Sequence, residues 1–419
     1  MIRRIKGTQD IYFEEMKYWH YVESAVRKVT KLYAFEEIRT PIFEATELFK
    51  RSVGESTDVV QKEMYTFEDK GGRSITLRPE GTASVARAFV ENGFINLGAP
   101  IKLYYMGPMF RYERPQAGRL RQFHQIGIET LGSQHPMADY EIIEFAVTFL
   151  KRLKIDDVKL YINSVGCEKC RPTYRQALKD YYADKIDGLC GDCKRRYDLN
   201  IMRLLDCKVD GDIAAKAPTI HSYLCDECSA HFNELQELLK ANDIDYEIDQ
   251  RLVRGLDYYT KTAFEIRADS LGSQNQILGG GRYDGLVEYI GGKFVPAVGF
   301  AAGIERIIMV LKSLGITPET EDIPSVAILP MGKESFALAF EYARRFRRRG
   351  LSVFVDVMDR NLRNRLKHAA RIGAKIAVIL GEEEVEKNMV TIKVLDTGSQ
   401  FKVDGDFAAR FVQEKLKEI

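Results

Sequence analysis

Three observations predict an α+β chain with a helical insertion and a smaller α/β domain at its end. Residues 103–112 and 122–131 are two β-like runs flanking a loop with Pro115 and Gly118, the signature of a hairpin. A cysteine-bearing, mainly helical stretch, about residues 166–243, then interrupts strand-rich sequence. From Ser325 the pattern changes to regular strand–helix alternation. The 419 residues accordingly divide into a main domain over residues 1–323, carrying the insertion, and a terminal domain over residues 324–419.

The bulk numbers narrow the function classes. Hydrophobic residues make up 45%, enough for large cores. The 62 Lys and Arg residues nearly balance 61 Asp and Glu, so a nucleic-acid partner has to be met by a local basic patch and not by global charge. The opening MIRRIKGTQD lacks the apolar core of a signal peptide, and no apolar run approaches a membrane span, so a cytoplasmic, membrane-free protein is expected. All seven cysteines lie between Cys167 and Cys228. Six form CxxC pairs (Cys167 with Cys170, Cys190 with Cys193, Cys225 with Cys228), and Cys207 is left over. The spacing of the first two pairs is close to that of a zinc ribbon, against a reading as free thiols. Three pairs and an odd cysteine do not define a single four-ligand set, so zinc is possible there but is not assigned.

Taken in order, residues 14–33 read as a long helix, with Trp19, Val22, Val26, Val29 and Tyr33 near helical spacing. That face suits either the core or an oligomer interface. Residues 35–43 read as a strand broken near Pro41. A short strand ends at Leu77, Pro79 and Gly81 turn the chain, and a helix begins at Thr82 or Ser84. Glu80 sits at that turn, either reaching into a pocket or simply favouring the helix dipole.

In the hairpin, period two puts Phe123, Gln125, Gly127 and Glu129 on one face and His124, Ile126 and Ile128 on the other. The first face offers a ring, an amide, a gap and a carboxylate, beside a loop holding Arg111, Arg114, Arg119 and Arg121. Packing alone does not need that set, whereas a pocket for a small cationic molecule next to a polyphosphate does. The bland reading is an exposed hairpin with solvated charges.

Residues 136–153 read as an amphipathic helix and 158–163 as a strand. Residues 246–266 read as strand around LVRGLDYYTKTAFEI. Paired Tyr258 and Tyr259 suit a core, but Arg254 upstream needs an anionic partner if buried. The run QILGGGRYDGL allows close backbone approach at its three glycines; it is neither a P-loop nor a GxGxxG motif. In residues 297–311 a short strand leads into a helix with Arg306 in its first turns. A cation there opposes the helix dipole unless it faces an anion or pairs with Glu305. Residues 314–324 form a polar linker. The terminal domain then offers Arg344, Arg345, Arg347, Arg348, Arg349, Arg360, Arg363, Arg365 and Lys367 to an RNA backbone, although solvated helix faces account for a share of them.

A long helix with a Pro-ended strand, an FRYE hairpin and a GIER strand–helix occur in the order of the three motifs of class II aminoacyl-tRNA synthetases, which the chain resembles. KGTQDI, LRPEGT, LVRGLDYY and GGGRYDGL resemble the histidyl-tRNA synthetase family in particular, and the likeness runs over nearly the whole chain, with the terminal domain similar to that family's anticodon-binding domain. The resemblance implies an antiparallel sheet flanked by helices, a homodimer with the first helix at its interface, and ATP with Mg²⁺, L-histidine and tRNA(His) as ligands. It implies Arg111 on the ATP α-phosphate and substrate carboxylate, Arg254 opposite it, Arg119 and Arg306 on the outer phosphates, and Phe123 stacked on adenine. Glu80, Gly81, Thr82, Gln125 and Glu129 would bind histidine, and Tyr258, Tyr259 and Tyr283 would line its imidazole pocket. Arg114 and Gln116 would meet the tRNA acceptor end. The CxxC pairs lie outside the family's catalytic pattern.

The implied activity is charging of tRNA(His) through a histidyl-adenylate. Two alternatives stand beside it. One is the histidine-sensing regulatory subunit of ATP phosphoribosyltransferase, a similar core without the anticodon-binding domain. The other is a class II synthetase for a different amino acid.

Overall fold

The computed structural model describes residues 2–55, 57–268, 272, 275–318 and 325–419. The chain divides into two compact units, the first ending at Pro318. The second half of the expected linker, residues 319–324, lies outside the described residues.

The first unit carries β1 (Glu36–Glu37), β2 (Phe43–Ala45), β3 (Tyr65–Glu68), β4 (Ser74–Leu77), β5 (Ile101–Phe110), β6 (Gln122–Leu131), β7 (Lys159–Ser164), β8 (Glu247–Ile248), β9 (Thr260–Arg267), β10 (Gln276–Arg282) and β11 (Ala297–Gly303). Eight of these form one sheet in the order β1-β5-β6-β11-β10-β9-β7-β8, and β2-β4-β3 form a small second sheet. The six inner strands of the large sheet pair antiparallel, and only the two end strands join in parallel.

Alternation along these strands gives the sheet two unlike faces. Ile126, Ile128, Phe264, Leu278 and Phe300 point to one side, where α1 (Glu14–Leu32) and later α4 (Pro136–Arg152) cover them. Trp19, Val22, Val26 and Val29 of α1 are buried there, so its apolar stripe belongs to the core of this chain. Phe145 of α4 sits between Phe35 and Phe300, with ring centroids at 5.5 and 6.0 Å. Truncating such a ring to alanine costs about 3–5 kcal/mol. Tyr105, Met109, Ala263, Tyr259 and Tyr283 point to the other side, towards α3 (Thr82–Glu91) and much of the insertion. α2 (Thr46–Val53) lies beside α3.

Two sequence expectations change. The strand around Tyr246–Ile266 is shorter: β9 starts at Thr260, leaving Arg254, Tyr258 and Tyr259 in the preceding turns. The region 35–43 forms two short strands in different sheets. The insertion packs into both cores of the unit. Its last helix, Asp226–Ala241, buries Phe232, Leu235 and Leu239 in the core under α4, while Tyr174, Leu178 and Cys193 join the core on the opposite face.

The second unit is a five-stranded mixed sheet. Its strands are β12 (Val326–Pro330), β13 (Val353–Val355), β14 (Ile376–Leu380), β15 (Met389–Val394) and β16 (Gln400–Asp404), ordered β13-β12-β14-β15-β16. Helices cover both faces, as the strand–helix alternation predicts. One of its basic positions is not available to RNA. Arg365 is 3% exposed, donates to the carbonyls of Asp356 (2.8 Å) and Arg360 (2.9 Å), and lies 3.6 Å from the Asp356 carboxylate.

Candidate active site

The site lies on the α3 face of the large sheet, and its floor is made by the absence of side chains. On β6 the row Gln125, Gly127, Glu129 is flanked by Gly303, Ala301 and Gly299 on β11. Gly279 and Gly281 of β10 continue it. A Cβ on Gly299 would lie 1.9 Å from Glu129 Oε2, and one on Gly279 would lie 2.5 Å from the Arg254 guanidinium. The glycines therefore let these two long ionisable side chains lie flat across the sheet. The row that alternation predicts is the one observed, and Phe123 also stands on this side.

Glu129 is 1% exposed. Its Oε1 accepts from Thr82 Oγ1 (2.7 Å), and its Oε2 accepts from the Tyr283 hydroxyl. No cation is among these hydrogen-bond partners, and burial pushes its carboxyl up to about 8. Glu80 accepts from the backbone N–H groups of Thr82 (2.7 Å) and Ala83 (2.9 Å). It thus serves the start of α3, whose preceding residue is Gly81, and also faces the pocket. Burial raises its pKa too, against the lowering effect of those two N–H groups. Tyr258 packs on Tyr259 and Tyr283 at centroid distances of 4.7 and 5.6 Å, and all three rings are buried.

Tyr105 completes this pocket and was not singled out in the sequence. Its ring occupies the space that a Cβ on Gly81 or Gly127 would need, at 2.3 and 2.0 Å. The signal was the cross-strand pairing of Tyr105 with Gly127, which needs the register.

Arginines form the adjoining rim. Arg111 donates through Nε to the Pro79 carbonyl (2.9 Å) and lies over the Phe123 ring at 5.4 Å. Glu113, also missed, bridges Arg111 (3.9 Å) and Arg119 (3.5 Å). Arg306 donates to the carbonyls of Gly118 (3.2 Å) and Gln276 (2.8 Å), so the helix beginning at Ile304 holds the hairpin loop. Burial, then the nearby Arg119, pull its pKa down. Arg306 does not pair with Glu305. That carboxylate accepts from the His124 backbone N–H and sits 3.0 Å from His124 Nδ1 on the opposite face.

Arg254 pairs with Glu265, the one charged residue in the run AFEI of β9 and a signal the sequence did contain. Burial opposes the charge on Arg254, and Glu265 and Tyr259 outweigh it, so its pKa is raised. Among the described residues, Arg254 Nε and Gln125 Oε1 are buried without a hydrogen-bond partner in the protein. Arg114 and Gln116 stand exposed at the loop tip, and Gln116 and Arg119 exchange backbone hydrogen bonds. All fifteen candidate residues thus fall on one pocket, its arginine rim and the adjoining loop.

The cysteines regroup. The first CxxC faces the third, with Cys167, Cys170, Cys225 and Cys228 together, while the second joins the odd cysteine as Cys190, Cys193, Cys207 and Asp210. The zinc-ribbon pairing suggested by spacing is not the one adopted.

A buried carboxylate and tyrosine pocket beside an arginine rim, on an antiparallel sheet, is the architecture of a class II aminoacyl-tRNA synthetase core. A family profile for histidyl-tRNA synthetase matches residues 7–307, and one for an anticodon-binding domain matches residues 325–415. The chain is 55% identical to the histidine–tRNA ligase of Thermotoga sp. (strain RQ2) over 416 residues, 99% of each protein. The ligase of Thermosipho melanesiensis is 52% identical over the full length of both. The fold matches apo S. aureus histidyl-tRNA synthetase with a TM-score of 0.83 at 37% identity, covering 98% of this chain and 100% of that one. The chain belongs to the histidyl-tRNA synthetase family.

Proposed function

We propose that this chain activates L-histidine with ATP and transfers it to tRNA(His), with the pocket on β6 binding the amino acid and the arginine rim the nucleotide. The observation that carries the site assignment is the pairing of a fully buried, cation-free Glu129 with an adjacent cluster of arginines. A neutral carboxyl is ready to ionise when an ammonium group arrives, and the rim is ready for phosphate.

Glu129, with Glu80, Thr82 and Gln125, takes the histidine ammonium, and Gly81 leaves room for the ring of Tyr105. Tyr258, Tyr259 and Tyr283 enclose the imidazole. Arg111 and Arg254 hold the reacting carboxylate and α-phosphate from two sides, Phe123 stacks on adenine, and Arg119 and Arg306 take the outer phosphates. The carboxylate attacks the α-phosphate and pyrophosphate leaves. A carboxylate is already a nucleophile, so positioning and charge neutralisation do the catalysis without a general base. A ribose hydroxyl of the terminal tRNA adenosine then attacks the acyl carbon, and a phosphate oxygen of the adenylate accepts its proton. Glu113 and Glu265, each next to the rim arginines, are the oxygen donors suited to Mg²⁺. When bound, that ion neutralises charge on the phosphates.

Arg114 and Gln116 meet the acceptor end, and the domain over residues 324–419 reads the anticodon. The chain works as a homodimer in the cytoplasm: Ile42, Phe43 and Phe67, at and beside the small sheet, are 44, 56 and 49% exposed, an apolar patch suited to a second copy.

Histidine-dependent exchange of pyrophosphate into ATP tests the activity. A regulatory, non-charging relative would show no exchange, and running the assay over all twenty amino acids would expose another specificity. Removing residues 325–419 is expected to spare exchange and weaken tRNA charging; unchanged charging kinetics would contradict the anticodon role.

A further inference from the structure

We infer that the insertion holds two structural zinc ions, one bound by Cys167, Cys170, Cys225 and Cys228 and one by Cys190, Cys193, Cys207 and Asp210. In each set the four ligand atoms lie within 4.8 Å of one another. Tetrahedral zinc–thiolate bonds of about 2.3 Å place neighbouring sulfurs about 3.8 Å apart. The sulfurs of Cys167 and Cys170 are 3.7 Å apart, those of Cys167 and Cys225 3.8 Å, and those of Cys190 and Cys207 3.8 Å. Asp210 Oδ2 is 3.6 Å from Cys207 Sγ, the spacing of a sulfur and an oxygen on one ion. All seven cysteines are free, and Cys170, Cys193 and Cys228 are buried.

The surroundings are those of thiolates. Backbone N–H groups point at sulfur: Cys225 N at Cys170 Sγ (3.1 Å), Cys193 N at Cys190 Sγ (3.5 Å), and Asp210 N at Cys207 Sγ (3.4 Å). Such donors stabilise and orient metal-bound sulfur. Zinc fits both sets because its filled d shell imposes no geometry and accepts thiolate and carboxylate alike.

The four-cysteine site has a second consequence, which rests on the histidine-pocket reading. It ties the beginning of the insertion to its last helix, and both ends grip the start of β9. Arg171, next to Cys170, donates to the carbonyls of Val165 (3.1 Å) and Tyr259. Glu227, between Cys225 and Cys228, accepts from Lys261 Nζ (2.8 Å). Tyr259 and Lys261 flank the first residue of β9, so this ion is a positioning element for the pocket tyrosines.

Metal analysis of the full-length protein, purified without chelator from zinc-supplemented cells, tests the sites independently of activity. About two zinc per chain are expected, with Cys225→Ser and Cys207→Ser each losing one. Less than one zinc in the unaltered protein, or iron in its place, would overturn the inference, and this reading does not depend on either variant folding. Cobalt substitution should give the absorption of tetrahedral thiolate-bound cobalt. For the link to the pocket, Cys225→Ser should raise the histidine KM about tenfold or more and leave the ATP KM within about twofold. Equal shifts in both, or none, would overturn the positioning role while leaving the zinc sites standing. Absence of histidine-dependent exchange in the unaltered protein would strike the pocket reading instead.

Discussion

Glu129 and Asp139 are both buried carboxylates of the same domain, ten positions apart in sequence, and they sit in opposite electrical states. Burial pushes both up. At Glu129 only hydroxyl donors answer it, and the group stays near 8. At Asp139 the Arg282 guanidinium, with His231 3.3 Å away, overcomes burial and holds the carboxyl well below the usual carboxylate range. The two networks meet at neighbouring residues. Arg282 turns to Asp139, Asp284 and the carbonyls of Ser133 and His135, while Tyr283 turns to Glu129. One charged cluster is complete within the protein and ties the start of α4 to the sheet. The other lacks its cation, and that deficit is what a ligand can fill. Burial of a carboxylate is therefore no guide to function until its partners are counted.

Five measurements press on this contrast. Arg282→Ala should cost about 3–5 kcal/mol of stability, read by chemical denaturation, because it takes the guanidinium from the buried Asp139 carboxylate and leaves only His231 beside it. A loss no larger than that of Glu129→Gln would break the distinction. Arg254→Ala, on the pocket side, should instead slow adenylate formation by about 10²–10³-fold in single turnover while histidine still binds. Similar rates in variant and parent would remove Arg254 from the reaction. Glu129→Gln should weaken histidine binding by roughly 10–150-fold, the value of a charged hydrogen bond, with little loss of fold.

The last effect is in pH. Glu129 keeps its proton in the folded protein up to about pH 8, whereas an unfolded glutamate releases it near pH 4.3. Its contribution to stability is thus fully present below about pH 4 and is lost as pH rises to about 8. Glu129→Gln should gain on the parent steadily over that window, and a pH-independent difference would mean the carboxyl is already ionised. Likewise, histidine binding at pH 7 should release up to about one proton in the parent, and less in Glu129→Gln, by calorimetry in buffers of different ionisation enthalpy.

Much of the site is legible in the sequence. Parity along residues 122–131 put Phe123, Gln125 and Glu129 on one face because a strand alternates without exception while it stays regular. Tyr105 was not readable, since its importance comes from lying across Gly81 and Gly127. Arg365 looked like one more RNA-facing cation, and only its burial against Asp356 shows otherwise. The position of Tyr258 and Tyr259 was legible as a cluster but not as turn, because aromatic residues favour strands wherever packing allows.

The local patterns of the sequence thus determined the elements, the pocket row and the alternation of the terminal domain, all properties of residues near one another along the chain. Tertiary structure decided the rest: which CxxC faces which, which face of the sheet α1 covers, and whether a buried carboxylate holds its proton. Those outcomes depend on groups brought together through space from distant positions, as Thr82, Glu129 and Tyr283 are, and no spacing along the chain encodes the distance between them.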